Sequence, residues 1–182
     1  MMGKKITGMA NAMGNEPEAA DIQIRQYIEA DTEEIITLVL HCQNDGTRPH
    51  VTIEDQPDLL QIQQRYIAGG GNFWVAVDNG KIAASIGLIN YTNGVGILKK
   101  FFVYEAYRGA PHHLGRRLYQ VLMQFAIEHG FKTLILDTPK NTDRAHMFYE
   151  KAGFEKISEE QLDIVYNYPY DNSDFFRLQI NN

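Results

Sequence analysis

The spacing of apolar residues changes character along the chain. Ile22, Ile24 and Gln26 share one face of a short alternating run, which predicts a strand over residues 22–27. Asp31 and Thr32 then precede Glu33, Glu34 and an apolar run that continues to Leu40. Oxygen-bearing side chains before the run, and acidic residues in its first turn, suit the unpaired amides and positive dipole end of a helix. Residues 44–56 are polar and irregular, with Gly46 and Pro49. Helical spacing returns over residues 58–68 and stops at Gly69, Gly70 and Gly71.

From residue 72 the period shortens to that of strands. Residues 72–77 and 81–90 flank Asp78-Asn79-Gly80, a strong hairpin signal, and a second turn at Thr92-Asn93-Gly94 leads into a strand over 95–104. Helix and strand alternate afterwards. Leu114, Leu118, Val121, Leu122 and Phe125 share a helical face, with Gly130 where a C-terminal cap belongs. Residues 132–137 read as a buried strand, 143–152 as a helix ending at Gly153, and 154–157 and 174–180 as further strands. These elements predict a mixed α/β (α+β) fold with a largely antiparallel central sheet and one β-α-β unit. No repeat or long linker divides the chain, so residues 21–182 read as a single domain.

Composition narrows the functional classes. The formal net charge of -6 opposes broad binding to nucleic acid, which needs clustered cations to release counterions. Cys42 is the only cysteine, so no intrachain disulfide forms, which suits a reducing compartment. No segment approaches the roughly 20 apolar residues of a membrane span. The basic start of residues 1–20 has no apolar stretch behind it and reads as a disordered leader. A cytoplasmic protein with neither membrane nor nucleic acid as partner is the expectation. His112 and His113 are adjacent, point in different directions and have no spaced third ligand, so no metal is expected.

The strongest chemical signal is a strand leading through a turn into a helix, over residues 98–123. Amides at a helix N-terminus are unpaired and carry partial positive charge, so they hold phosphate well. Gly109 and Gly115 permit close backbone approach, and Arg108, Arg116 and Arg117 form a local basic patch in an acidic chain. A plain strand-to-helix turn with exposed arginines is the alternative. No Gly-Lys-Ser/Thr triplet marks a nucleotide-binding loop of the other common type.

Phe102-Val103-Tyr104-Glu105-Ala106-Tyr107-Arg108-Gly109 followed by Leu114-Gly115-Arg116-Arg117-Leu118 resembles the GNAT family of N-acetyltransferases. In that family the turn reads Arg/Gln-x-x-Gly-x-Gly/Ala, and its amides bind the pyrophosphate of coenzyme A. Here the interval from Arg108 to Gly115 is two residues longer than the family's, and His113 falls where the middle glycine is expected. A second motif, Ala145-His146-Met147-Phe148-Tyr149-Glu150-Lys151-Ala152-Gly153-Phe154, resembles the family's Ala-x-x-Phe/Leu-Tyr-x-x-x-Gly-Phe, whose tyrosine sits beside the CoA sulfur. The family often has an asparagine just before this motif; Thr142 takes that place, with Asn141 beside it.

The resemblance implies a GNAT-like fold with a β-α-β acyl-CoA-binding core, acetyl-CoA as cosubstrate and no metal. It implies cofactor contacts at Phe101, Phe102, Val103, Arg108, Gly109, His113, Leu114, Gly115, Arg116 and Asn141, and a catalytic role for Tyr149 as proton donor to the leaving sulfur. Acetyl would pass by direct attack to a primary amine of a small molecule or peptide. A non-catalytic acyl-CoA-binding sensor is the alternative, and a homodimer is a further expectation. For the general base, Glu105, Glu54, Asp55 and a water chain remain open. Tyr166, Tyr168 and Tyr170 either line the acceptor side or cover an edge strand.

Overall fold

The structure, a computed structural model, describes residues 21–92 and 94–181. The leader expected at residues 1–20 lies outside the described residues, as does Asn93 of the second turn. Seven strands, β1 Gln23–Gln26, β2 Asn72–Asp78, β3 Lys81–Thr92, β4 Val95–Val103, β5 Thr133–Pro139, β6 Glu155–Ile157 and β7 Ser173–Gln179, form one sheet in the order β1-β2-β3-β4-β5-β7-β6. Only β4 and β5 pair in parallel, because α2 (Leu114–Glu128) crosses between them. The other helices are α1, Thr32–Gln43, and α3, Asp143–Lys151. No helix among the described residues is long and apolar enough to cross a membrane.

Alternation along β2 sorts the core into two layers. Trp74 and Ala76 pack under Leu114, Leu118 and Leu122 of α2 and Tyr149 of α3. Phe73 and Val75 face the other way, against Ile35, Leu38 and Val39 of α1 and against Leu59, Ile62 and Tyr66. Local rules hold at the element ends. Asn79 and Gly80 both take positive φ, as a tight hairpin turn requires. Gly130 and Gly153 close α2 and α3 in left-handed conformation: Phe131 N–H donates to Ala126 C=O and Phe154 N–H to Tyr149 C=O, each at 2.9 Å.

Two expectations are corrected. Residues 58–68 do not form one helix. A 3₁₀ turn over Pro57–Leu60 gives way to a widened π turn over Gln63–Ile67, in which Ala68 N–H donates to Gln63 C=O at 2.8 Å. The break still puts Leu59, Ile62 and Tyr66 into the core while the Tyr66 hydroxyl reaches the Asp58 carboxylate. At the start of α1, Asp31 does not cap the helix. Its carboxylate instead pairs with Arg25 at 2.7 and 2.8 Å and accepts from Ile28 N–H at 2.9 Å, tying β1 to the turn before α1.

The glycine run after Tyr66 has a steric reason at Gly71. A Cβ there would lie 1.9 Å from the Leu88 carbonyl oxygen, part of rigid β3 backbone. Gly71→Ala is therefore expected to destabilise the fold by about 3 kcal/mol, the upper end for overpacking. In a chain of this size that lowers Tm by about 6–12 °C in a thermal melt; an unchanged melt would remove the steric account.

One irregularity in the sheet bears on function. Ser85 pairs with Phe102 and Gly87 with Lys99, so β4 carries one residue more than β3 between these pairs. The extra residue forms a bulge in which Lys100 takes φ 55, and its carbonyl accepts from the Ser85 hydroxyl at 2.7 Å. Lys99 and Lys100 therefore both turn to the α1 side, while Leu98, Phe101 and Val103 pack on the α2 side.

Candidate active site

β4 and β5 pair only through Val95–Thr133, Gly96–Leu134 and Ile97–Ile135. Beyond these residues the strands part, and a cleft of about 710 Å³ opens between them, reaching the N-terminal ends of α2 and α3. The β5-facing edge of β4 past Ile97 has no strand partner, so backbone polar groups there are available to an occupant, except that Val103 C=O already accepts from Arg108 Nε at 2.9 Å. Phe101, Phe102, Val103, Arg108, Gly109, His113, Gly115, Arg116, Asn141 and Tyr149 all line this cleft. Residues of β4, of the turn and start of α2, and of α3 with the loop before it are thus brought to one surface.

The α2 end suits an anion. The first intrahelical bond is Arg117 N–H to His113 C=O at 3.1 Å, which leaves the amides of Leu114, Gly115 and Arg116 ahead of it. The first turn has no acidic residue. His113, at the place of the family's middle glycine, takes the left-handed conformation that glycine adopts without cost (φ 48, ψ 38). Gly115 is helical, and a Cβ there would meet only Phe101 and Val103 side-chain atoms at 3.6–3.9 Å. Its missing side chain is therefore not needed for packing and instead leaves the cleft open.

Three placements sharpen the sequence reading. Leu114 is fully buried in the core and, unlike the other expected cofactor contacts, does not line the cleft, so the structure corrects that expectation: its apolar side chain anchors the start of α2 instead. Arg117 turns away and donates to Ile22 C=O at 2.8 Å, so Arg108 and Arg116 are the arginines of this turn that line the cleft. Asn141 spends its side-chain amide on Thr47 C=O at 3.0 Å, joining the loop before α3 to the loop after α1 across the cleft.

Tyr149 sits on α3, between Phe101, Phe148, Phe154 and Phe176, with ring centroids 5.6–6.4 Å away. Burial, with added repulsion from the Asp137 carboxylate and Tyr119, holds its phenol above the ordinary range. The group therefore stays protonated and can donate a hydrogen bond into the cleft.

The α1 side holds charged groups that sequence reasoning missed. Lys100 donates to Gln56 Oε1 at 2.6 Å and lies 3.4 Å from Asp58, while Gln56 in turn donates to Gln43 at 2.6 Å. Burial lowers the Lys100 ammonium to about 8, against the pull of Asp58. Asp137 of β5 also lines the cleft and accepts from the Tyr166 hydroxyl at 3.0 Å. Burial pushes its carboxyl above the ordinary range, against the opposing charges of Lys99 and Lys100 and the Tyr166 bond. Arg48 and Tyr170 close the same end. By contrast, Glu54, Asp55 and Glu105 are exposed and do not line the cleft. Asp55 is occupied in capping Thr52 N–H at 2.7 Å. Asp137 carried no signal in sequence because its strand reads simply as buried. Only the parting of β4 from β5 exposes it.

Comparison with known proteins agrees with this geometry. An acetyltransferase from Streptococcus agalactiae superimposes with a TM-score of 0.83 at 34% identity, over 87% of this chain and 98% of that one. The fold is shared at 16% identity and a TM-score of 0.65, over 88% and 94% of the two chains, with yncA of Salmonella typhimurium, a putative acetyltransferase solved with its cofactor acetyl-CoA. A probable N-acetyltransferase, camello, of Xenopus tropicalis is 29% identical over 68% of this chain and 57% of its own length. The chain spans about half the length of the curated relatives it matches. The profile of the acetyltransferase (GNAT) family matches residues 26–154, and the chain belongs to that family.

Proposed function

We propose that this protein is an N-acetyltransferase that moves acetyl from acetyl-CoA to a primary amine of a small molecule or peptide. The observation that carries the proposal is the cleft between β4 and β5, which has an unpaired strand edge, a helix N-terminus and a protonated tyrosine along its walls. The residues fit acetyl-CoA chemically. Amides of Gly115 and Arg116, with the Arg116 side chain, suit the pyrophosphate. The free edge of β4 at Phe101–Val103 suits the pantetheine arm and the thioester carbonyl, whose oxygen gains charge during attack. Tyr149 faces the sulfur side. Acetyl-CoA supplies an activated acyl group, so no covalent enzyme intermediate is required.

Release of free CoA thiol from acetyl-CoA across a panel of primary amines tests the transfer, with calorimetric titration of acetyl-CoA measured beside it. Binding without thiol release from any amine would instead identify a non-catalytic acyl-CoA sensor. Absence of binding would sink both readings. Gly115→Val tests the cofactor placement separately. Its added methyl groups project into the cleft, and acetyl-CoA affinity is expected to fall at least about tenfold, or 1.4 kcal/mol. The melt should change little, because the Cβ meets no backbone. Full affinity in the titration would show that the ligand lies elsewhere.

A further inference from the structure

Charge is distributed unevenly along the cleft. Six cations line it, Arg48, Lys99, Lys100, Arg108, Arg116 and Arg144, against the three carboxylates of Asp45, Asp137 and Asp143. The chain as a whole carries the opposite balance, a formal charge of -6. Arg108, Arg116 and Arg144 belong to the turn before α2 and to the starts of α2 and α3, the cofactor end as proposed above. Cofactor phosphates do not account for the other three, which stand at the α1 end. Lys100 is matched there by Asp58 at 3.4 Å. Arg48 and Lys99 are left.

Both are held in place yet keep donors unspent. Asn44 closes the loop that carries Arg48: its side-chain amide donates to Val51 C=O at 2.8 Å and accepts from Val51 N–H at 2.9 Å. Of the Arg48 nitrogens, Nη2 alone finds partners among the described residues, Cys42 C=O at 2.9 Å and the Asp45 carboxylate at 2.8 Å. Nε is buried without one, a state that costs free energy until an acceptor atom arrives. The guanidinium also lies 5.9 Å from the centre of the Tyr170 ring. Lys99 has a similar setting. Its ammonium sits 5.6 Å from the centre of the Tyr166 ring and donates to Asn167 C=O at 2.7 Å. It pairs with no carboxylate among the described residues.

We propose that the acceptor amine carries a carboxylate, as a free amino acid does, and that Arg48 and Lys99 hold that carboxylate at the α1 end of the cleft. The inference rests on the acetyl-transfer reading above and narrows the substrate class of the same site. Two cations set against Asp45 and Asp137 leave this end balanced, so an acceptor whose own ammonium and carboxylate cancel fits it. A polyamine or a phosphorylated amine would bring unmatched charge. The Arg48 side chain is only 11% exposed, so little water screens its pairing with an incoming anion. A hydrogen bond from guanidinium to carboxylate is about twice as strong as a neutral one, which the corresponding carboxamide would forfeit.

Free amino acids, each compared with its own carboxamide, test the proposal, with rates corrected for the neutral fraction of each amine. kcat/KM is expected to favour the acid at least about tenfold, with the difference lying in KM. Arg48→Gln should narrow that preference to about threefold or less by raising the acid's KM. Arg48→Lys, which keeps the charge without the guanidinium, should restore part of it. Lys99→Gln, on a strand rather than in the loop, should also narrow the preference and remains readable if Arg48→Gln does not fold. Acids turned over no better than their carboxamides by the wild type, or a preference undiminished in a folded glutamine variant, would overturn the proposal alone. A wild type that binds acetyl-CoA but acetylates no amine would overturn the transfer reading with it.

Discussion

Tyr149→Phe is expected to lower kcat for acetyl transfer roughly 30- to 100-fold, with acetyl-CoA affinity nearly unchanged. The ring fills an aromatic pocket that phenylalanine fills equally, so what is removed is the hydroxyl alone. A hydrogen bond to a charged partner is worth about 1.5–3 kcal/mol, and at the departing sulfur that charge exists only as the C–S bond breaks. The raised phenol also bears on the proposed role. A phenol raised above its ordinary value of ~10 is a weaker acid than a thiol near ~8.5, so Tyr149 is better suited to hold the thiolate by a hydrogen bond than to surrender its proton. It follows that no loss of rate from Tyr149 ionisation is expected below about pH 10. Thiol release at saturating acetyl-CoA and amine checks both statements; a wild-type kcat in the variant would remove Tyr149 from the mechanism.

Lys100→Met is expected to carry the largest cost in stability. The ammonium sits under the β4 bulge, where Asp58 and Gln56 face it and little water reaches. Removing it leaves a largely buried carboxylate with only the Tyr66 hydroxyl, and breaking such a pair costs about 3–5 kcal/mol. The midpoint of urea unfolding should fall accordingly, and Asp58→Asn in the same chain should restore part of the loss. A midpoint like that of the wild type would show that the pair is not needed. The pH dependence has a definite sign. The lysine titrates at about 8 in the fold against 10.5 in the unfolded chain, so between these values the unfolded chain holds more protons. The wild type's advantage over the methionine variant should therefore widen as pH rises through that window.

Much of the fold was legible locally. The Asp78-Asn79-Gly80 hairpin, the stripe from Leu114 to Phe125, and the glycines that end α2 and α3 each occur where short-range physics places them. Residues 58–68 were not, because apolar spacing reports which side chains are buried and is nearly blind to whether the backbone between them is α, 3₁₀ or π. Helix α1 starts after Asp31, as its sequence predicts, but the Asp31 carboxylate bonds elsewhere for a related reason. Its usefulness as a helix cap is a local property, but Arg25 on β1 offers it a charged partner that only the fold supplies.

The proposed cofactor side of the cleft was visible in sequence because its parts are contiguous: a strand, a turn and a helix start, and then the Tyr149 helix. The charged groups on the α1 side were not, since Lys100, Asp58, Asp137 and Tyr166 come from four separate segments. Sequence alone determined the order of elements, the basic turn and the aromatic helix, because these follow from period, capping and local charge. Tertiary structure decided where β4 leaves β5, which face the bulge turns Lys99 and Lys100 toward, and that Asp45, Asp137 and Asp143 are the carboxylates lining the opening. Those depend on strand register and on burial between distant segments, and burial is what moves Tyr149, Lys100 and Asp137 away from their ordinary ionisation.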